Sequence, residues 1–128
     1  MRIKFNTAII FTGDIAASKE FYHVLLGLTV LQDAGTFVLL EGNLGLHKAD
    51  VFYEYIGKQY GGGAMGRDNL DLYFTADDIE AAERRLKDAG VKFIHGINQF
   101  PWGEKLFRVY DPDGHIVEIG DAGQSAPS

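Results

Sequence analysis

Apolar positions along this chain switch between a helical and an alternating period, and the switches repeat in the same order in its two halves. From Ile3 to Thr12 the residues are apolar and β-prone. Gly13-Asp14 then opens a segment in which Ile15, Ser18, Phe21, Tyr22 and Leu25 recur at helical spacing. This predicts an amphipathic helix with Asp14 as its N-cap and Gly27 as its stop. Strand-like runs follow at Thr29–Gln32, Thr36–Glu41 and Leu44–Lys48, with glycines and Asn43 marking the turns.

The second half repeats the order. Leu70–Thr75 alternates, with Leu70, Leu72 and Phe74 on one side and Asp71, Tyr73 and Thr75 on the other. Asp77-Asp78 caps a second predicted helix with inner face Ile79, Ala82, Leu86 and Ala89, and Gly90 ends it. Strands are predicted at Val91–His95, Lys105–Tyr110 and His115–Ile119. The last two are joined by Asp111-Pro112-Asp113-Gly114, a turn in which proline presets φ and glycine supplies φ > 0.

The pattern is therefore βαβββ twice. Module one spans about 3–48, a glycine-rich flexible crossover spans 49–69, module two spans about 70–121, and the small polar tail Ala122–Ser128 is expected to fray. A four-stranded sheet covered by one helix leaves its other face open. Pairing two such units makes one α+β domain over residues 1–128, a curved mixed sheet around a central cleft. A ferredoxin-like α+β sandwich is the competing architecture, but it leaves the three consecutive strands after each helix unexplained.

Composition narrows the function classes. With 46% hydrophobic and 23% charged residues, the 128-residue chain reads as an ordinary soluble domain. No apolar run approaches a membrane span, and the start Met1-Arg2-Ile3-Lys4 lacks a signal-peptide pattern, so no membrane role and a cytoplasmic location are expected. A net charge of −6 argues against nucleic acid, and Arg84, Arg85 and Lys87 share their helix with Glu80, Glu83 and Asp88. The absence of cysteine removes disulfides, thiolate nucleophiles and Cys-ligated zinc.

The candidate chemistry gathers in module two. Alternation places Leu106, Arg108 and Tyr110 on the face opposite Phe107 and Val109, and Glu118 opposite Val117 and Ile119. A tight turn at 111–114 sets Arg108 across from Glu118. That pair is either a structural salt bridge or a ligand clamp, in which Arg takes a carboxylate and Glu takes an amine or hydroxyl. Trp102, the only tryptophan, sits in Phe100-Pro101-Trp102-Gly103-Glu104, where it can stack on a flat or cationic ligand or simply cover the core edge. His47, Asp71, Tyr73 and Tyr110 complete the ligand-binding set. Tyr53, Tyr55 and Tyr60 add aromatic surface in the crossover.

Two segments carry a resemblance. Asp14–Gly27, with Ser18, Phe21-Tyr22 and Leu26-Gly27, and Phe107–Gly120, with Tyr110-Asp111-Pro112-Asp113-Gly114 and Val117-Glu118-Ile119, resemble the vicinal oxygen chelate superfamily. That superfamily holds glyoxalases, bleomycin-resistance proteins and extradiol dioxygenases. The resemblance implies the paired βαβββ fold and a homodimer. It further implies a divalent metal held by a His or Gln on the first strand and a Glu on the last strand of each module. Here Glu118 matches, Asp71 is an atypical match, and Thr7 and Gly45 are not ligands. The expectation is therefore a protein without a metal cofactor that binds or sequesters a small organic, antibiotic-like molecule. Two enzymatic readings stay open. One is a lyase, isomerase or dioxygenase using Mn, Fe, Ni or Zn held by His47, Asp71 and Glu118. The other is metal-free acid–base catalysis with Glu118 as base and Arg108 stabilising an oxyanion.

Overall fold

The computed structural model describes residues 1–122; the rest of the predicted frayed tail, 123–128, lies outside the described residues. The chain forms two compact units, Met1–Met65 and Gly66 onward, one for each module. The first holds β1 (Ala8–Thr12), α1 (Ile15–Lys19), β2 (Val30–Asp33), β3 (Phe37–Leu40), β4 (Leu44–Lys48) and α2 (Ala49–Tyr55). The second holds β5 (Asp71–Ala76), α3 (Ile79–Asp88), β6 (Phe93–Gln99), β7 (Lys105–Tyr110) and β8 (Ile116–Asp121). Each sheet is mixed, in the order β1-β4-β3-β2 and β5-β8-β7-β6, with the first strand parallel to the last.

The repeat extends to the helix caps. The Asp14 carboxylate accepts the Ala17 N–H at 3.0 Å, and the Asp78 carboxylate accepts that of Ala81 at 3.0 Å. The first helix widens after Lys19 into a π-helical stretch, Glu20–Leu25, in which Leu26 N–H donates to the Phe21 carbonyl five residues back. This buries the neighbours Phe21 and Tyr22 together, edge to face at 4.9 Å. In the second unit Lys87 of α3 lies over Phe93, which stacks on Phe107. Alternation carries that helix-covered face through Val109, Val117 and Ile119, all buried.

Three expectations need correction. The first strand begins at Ala8, not Ile3, because its parallel partner β4 begins at Leu44 and offers nothing further back; Ile3 and Phe5 stay exposed. The crossover is not wholly flexible, since its first residues form α2, anchored by fully buried Ala49 and by Phe52 against Phe11 at 4.3 Å. The sixth strand runs Phe93–Gln99 instead of Val91–His95. Bulges shift its register on either side of His95, and Glu83 of α3 accepts the Ile97 N–H at 2.8 Å.

Candidate functional site

A polar belt crosses all four strands of the second sheet. His95 pairs with Arg108, Arg108 with Glu118, and Glu118 with Tyr73, so the four side chains share one row on the face away from α3. The expected juxtaposition of Arg108 and Glu118 is present: Arg108 Nε donates to Glu118 Oε1 at 3.0 Å, with side chains 27% and 12% exposed. The other end of the guanidinium meets His95 Nε2 at 3.0 Å, while His95 Nδ1 lies 2.8 Å from the Gly96 carbonyl. Those two contacts define one neutral tautomer, with Nδ1 donating and Nε2 accepting. Phe100 lies beneath the Arg108 guanidinium at 5.2 Å.

Asp71 sits one row along, hydrogen-bonded to Glu118. Burial first, then the hydrogen bond and negative charge of Glu118, push its carboxyl from 3.8 up to about 7, against the opposing Arg108 charge. The two carboxyl groups thus lie against each other beside the Arg108 guanidinium, and the Asp71 carboxyl is held above its ordinary range. Tyr73 turns the other way, donating its hydroxyl to Glu104, and that hydrogen bond holds the phenol neutral up to about 12. Glu104 also accepts Trp102 Nε1–H at 3.1 Å, and Trp102 stacks on Phe100 at 5.0 Å while remaining half exposed.

Two residues of this arrangement escaped the sequence. His95 closes the strand predicted at Val91–His95 with nothing in the pattern to aim it at Arg108; in the structure its neighbour Ile94 is exposed, and bulges on either side of His95 set it opposite Arg108. Glu104 carried no signal beyond its place next to Trp102. The other predicted ligand residues lie elsewhere. The Tyr110 hydroxyl donates to Asp68 at 2.9 Å, which raises its pKa. His47 belongs to the first unit, with Phe52 at 5.2 Å, Phe37 at 5.9 Å, Tyr55 at 6.2 Å and Nδ1 on the Lys48 carbonyl.

The glyoxalase-like domain profile matches residues 5–123. The chain belongs to the glyoxalase-like domain family. Among solved structures the chain is similar to a protein of unknown function from Agrobacterium tumefaciens str. C58, 38% identical over 95% of this chain and 96% of that one, with a TM-score of 0.87. A glyoxalase/bleomycin resistance protein/dioxygenase from Nocardioides is 23% identical over 100% and 90%, with a TM-score of 0.74. Lactoylglutathione lyase from Agrobacterium tumefaciens is 22% identical over 93% of each chain, with a TM-score of 0.67. At these identities the last two share the fold alone. No curated protein matches the chain.

The metal site that glyoxalase-like relatives imply can be tested on the donors themselves. In the parallel register Ile9 pairs with Gly45 as Tyr73 pairs with Glu118, so Gly45 stands where a second glutamate is expected. A Cβ there would lie 2.8 Å from the Phe37 ring and 3.1 Å from Ile9, so aromatic packing already fills that place. Thr7 spends its hydroxyl on Asn6. Of the remaining donors, Glu118 is held by a guanidinium, and beside it burial and the Glu118 charge hold the Asp71 carboxyl above its ordinary range. Of the alternative set, His47 belongs to the first unit and Asp71 and Glu118 to the second, and among the described residues no three His, Cys, Asp or Glu side chains gather as metal ligands. These donors do not fit a divalent ion, and Arg108 supplies the positive charge beside Glu118.

Proposed function

We propose that this chain binds a small organic molecule against the polar face of its second sheet, holding or sequestering it without a metal cofactor. The observation that carries this reading is the His95–Arg108–Glu118 row with Asp71 beside it and half-exposed Trp102 at its margin. Such a face offers a flat aromatic surface and both signs of hydrogen-bonding partner. A ligand carboxylate or carbonyl replaces Glu118 on Arg108, and a ligand amine or hydroxyl replaces the Asp71 proton. An antibiotic-like compound has this mixture of a planar ring and polar groups, and the Nocardioides neighbour carries bleomycin resistance in its description. Titrating planar and cationic drugs while following Trp102 emission tests the reading. Saturable changes that weaken at least about tenfold in Arg108→Ala are expected, from loss of a charged hydrogen bond. A silent panel defeats it.

A second reading, metal-free acid–base catalysis, is favoured by the adjacent Asp71 and Glu118 carboxyls beside Arg108, with the Asp71 pKa raised to about 7. Glu118 takes a proton from a carbon acid, Arg108 faces the developing oxyanion, and Asp71 holds the exchangeable proton. Its mark is solvent exchange of a ligand C–H, lost in Glu118→Gln; binding without exchange leaves the first reading alone. A homodimer in the cytoplasm belongs to the same proposal, supported by exposed Met1, Ile3 and Phe5, and a monomer by light scattering removes the dimer.

A further inference from the structure

Among the described residues of the second unit, Glu104 is the carboxylate buried to 1% exposure without a cationic partner, and its carboxylate accepts only from the Tyr73 hydroxyl and Trp102 Nε1–H. An ionised carboxylate so placed is costly unless its donors are fixed. The loop around it is closed by Phe100 N–H to the Glu104 carbonyl at 2.9 Å and Gly103 N–H to the Phe100 carbonyl at 2.9 Å. Gly120 lies beneath the Tyr73–Glu104 hydrogen bond. A Cβ at Gly120 would meet Glu104 Oε2 at 2.6 Å and the Tyr73 hydroxyl at 2.9 Å, so the bond requires the missing side chain.

From this geometry we infer that Glu104 is a positioning and specificity-determining residue that pins Trp102 and Tyr73 with their polar atoms turned inward. The inference rests on the reading of this face as a binding surface. With the indole N–H and the phenol hydroxyl both spent on Glu104, these two residues present ring surface, not hydrogen-bonding groups, to a ligand. Polar discrimination is left to Asp71, Arg108 and Glu118. The preferred ligand class is thus a molecule with an apolar flat ring on one side and its polar groups gathered on the other. A ring ringed by hydroxyls or amides would meet no partner over Trp102 and Tyr73.

The test uses the full chain, in which Trp102 is the only tryptophan. Glu104→Leu removes both acceptors, whereas Glu104→Gln keeps one for the indole and loses the charge. In folded Glu104→Leu, the unpinned share of Trp102, read from anisotropy decay and acrylamide quenching, is expected to rise about fivefold for one lost hydrogen bond. Glu104→Gln should keep Trp102 near wild type, while Tyr73 ionisation, followed in the ultraviolet, falls from about 12 toward 10. Wild-type quenching in Glu104→Leu overturns the inference. If that variant fails to fold by circular dichroism, Gly120→Ala replaces it, since its methyl group displaces the carboxylate, and the same two outcomes decide. The dye 8-anilinonaphthalene-1-sulfonate is titrated in parallel. Wild type that ignores the dye counts against the binding reading, and the pin is then judged on quenching alone.

Discussion

Asp71 illustrates how a residue's neighbours decide its chemistry. Alone on an exposed strand it would be an ordinary carboxylate, but burial, and then the hydrogen bond and charge of Glu118, raise its pKa to about 7. Its folded pKa lies above the unfolded value of 3.8, so between about pH 4 and 7 the folded state binds the extra proton. Its contribution to stability is therefore full at low pH and declines as pH rises through that window. Asp71→Asn removes the dependence. At pH 8 the variant is expected to be more stable than wild type by on the order of 1 kcal/mol, a figure discounted for the residue's access to solvent. At pH 4 the two should melt together. Thermal denaturation across pH checks this, and parallel curves would show that the Asp71 pKa is not raised.

Among the elements, the closing hairpin holds the site in register. Asp111 accepts the Asp113 and His115 N–H groups at 2.9 Å each and pairs with His115 Nδ1 at 2.8 Å, all buried. That turn sets Arg108 opposite Glu118. The crossover clamps the turn from outside: Gly66 N–H donates to the Asp113 carbonyl at 2.9 Å, and a Cβ on Gly66 would lie 2.0 Å from the Gly114 carbonyl oxygen. Backbone cannot yield as a flexible side chain does, so Gly66→Ala is expected to cost about 2 kcal/mol or more. Chemical denaturation measures the loss. A loss under about 0.5 kcal/mol, the range of ordinary surface substitutions, would mean the crossover is not seated on the turn.

For the molecule as a whole, no described helix is long and apolar enough to cross a membrane. The glyoxalase-like family sets the architecture but leaves its chemistry open. Two of the four positions that would ligate a metal are Thr7 and Gly45, and Gly45's space is taken by Phe37. Elemental analysis of protein purified without chelator, followed by calorimetry with Mn, Fe, Ni and Zn, is expected to find no stoichiometric site. A tight ion lost in Glu118→Gln would restore the metal-dependent enzymatic reading.

Local patterning determined much of this protein: the doubled βαβββ order, the caps at Asp14 and Asp78, the glycine stops, and the alternation placing Arg108 and Glu118 on one face. These follow from short-range rules that each segment carries within itself. Strand limits did not, because a strand extends only as far as its partner, and β4 begins at Leu44. Nor did α2, since helix propensity in 49–55 becomes decisive only once Ala49 and Phe52 find something to pack against. His95 and Glu104 entered the site through a bulge and a folded-back loop, which depend on hydrogen bonds between residues distant in sequence. The protonation of Asp71 was likewise decided by tertiary structure, because a pKa responds to burial and neighbouring charge rather than to residue type.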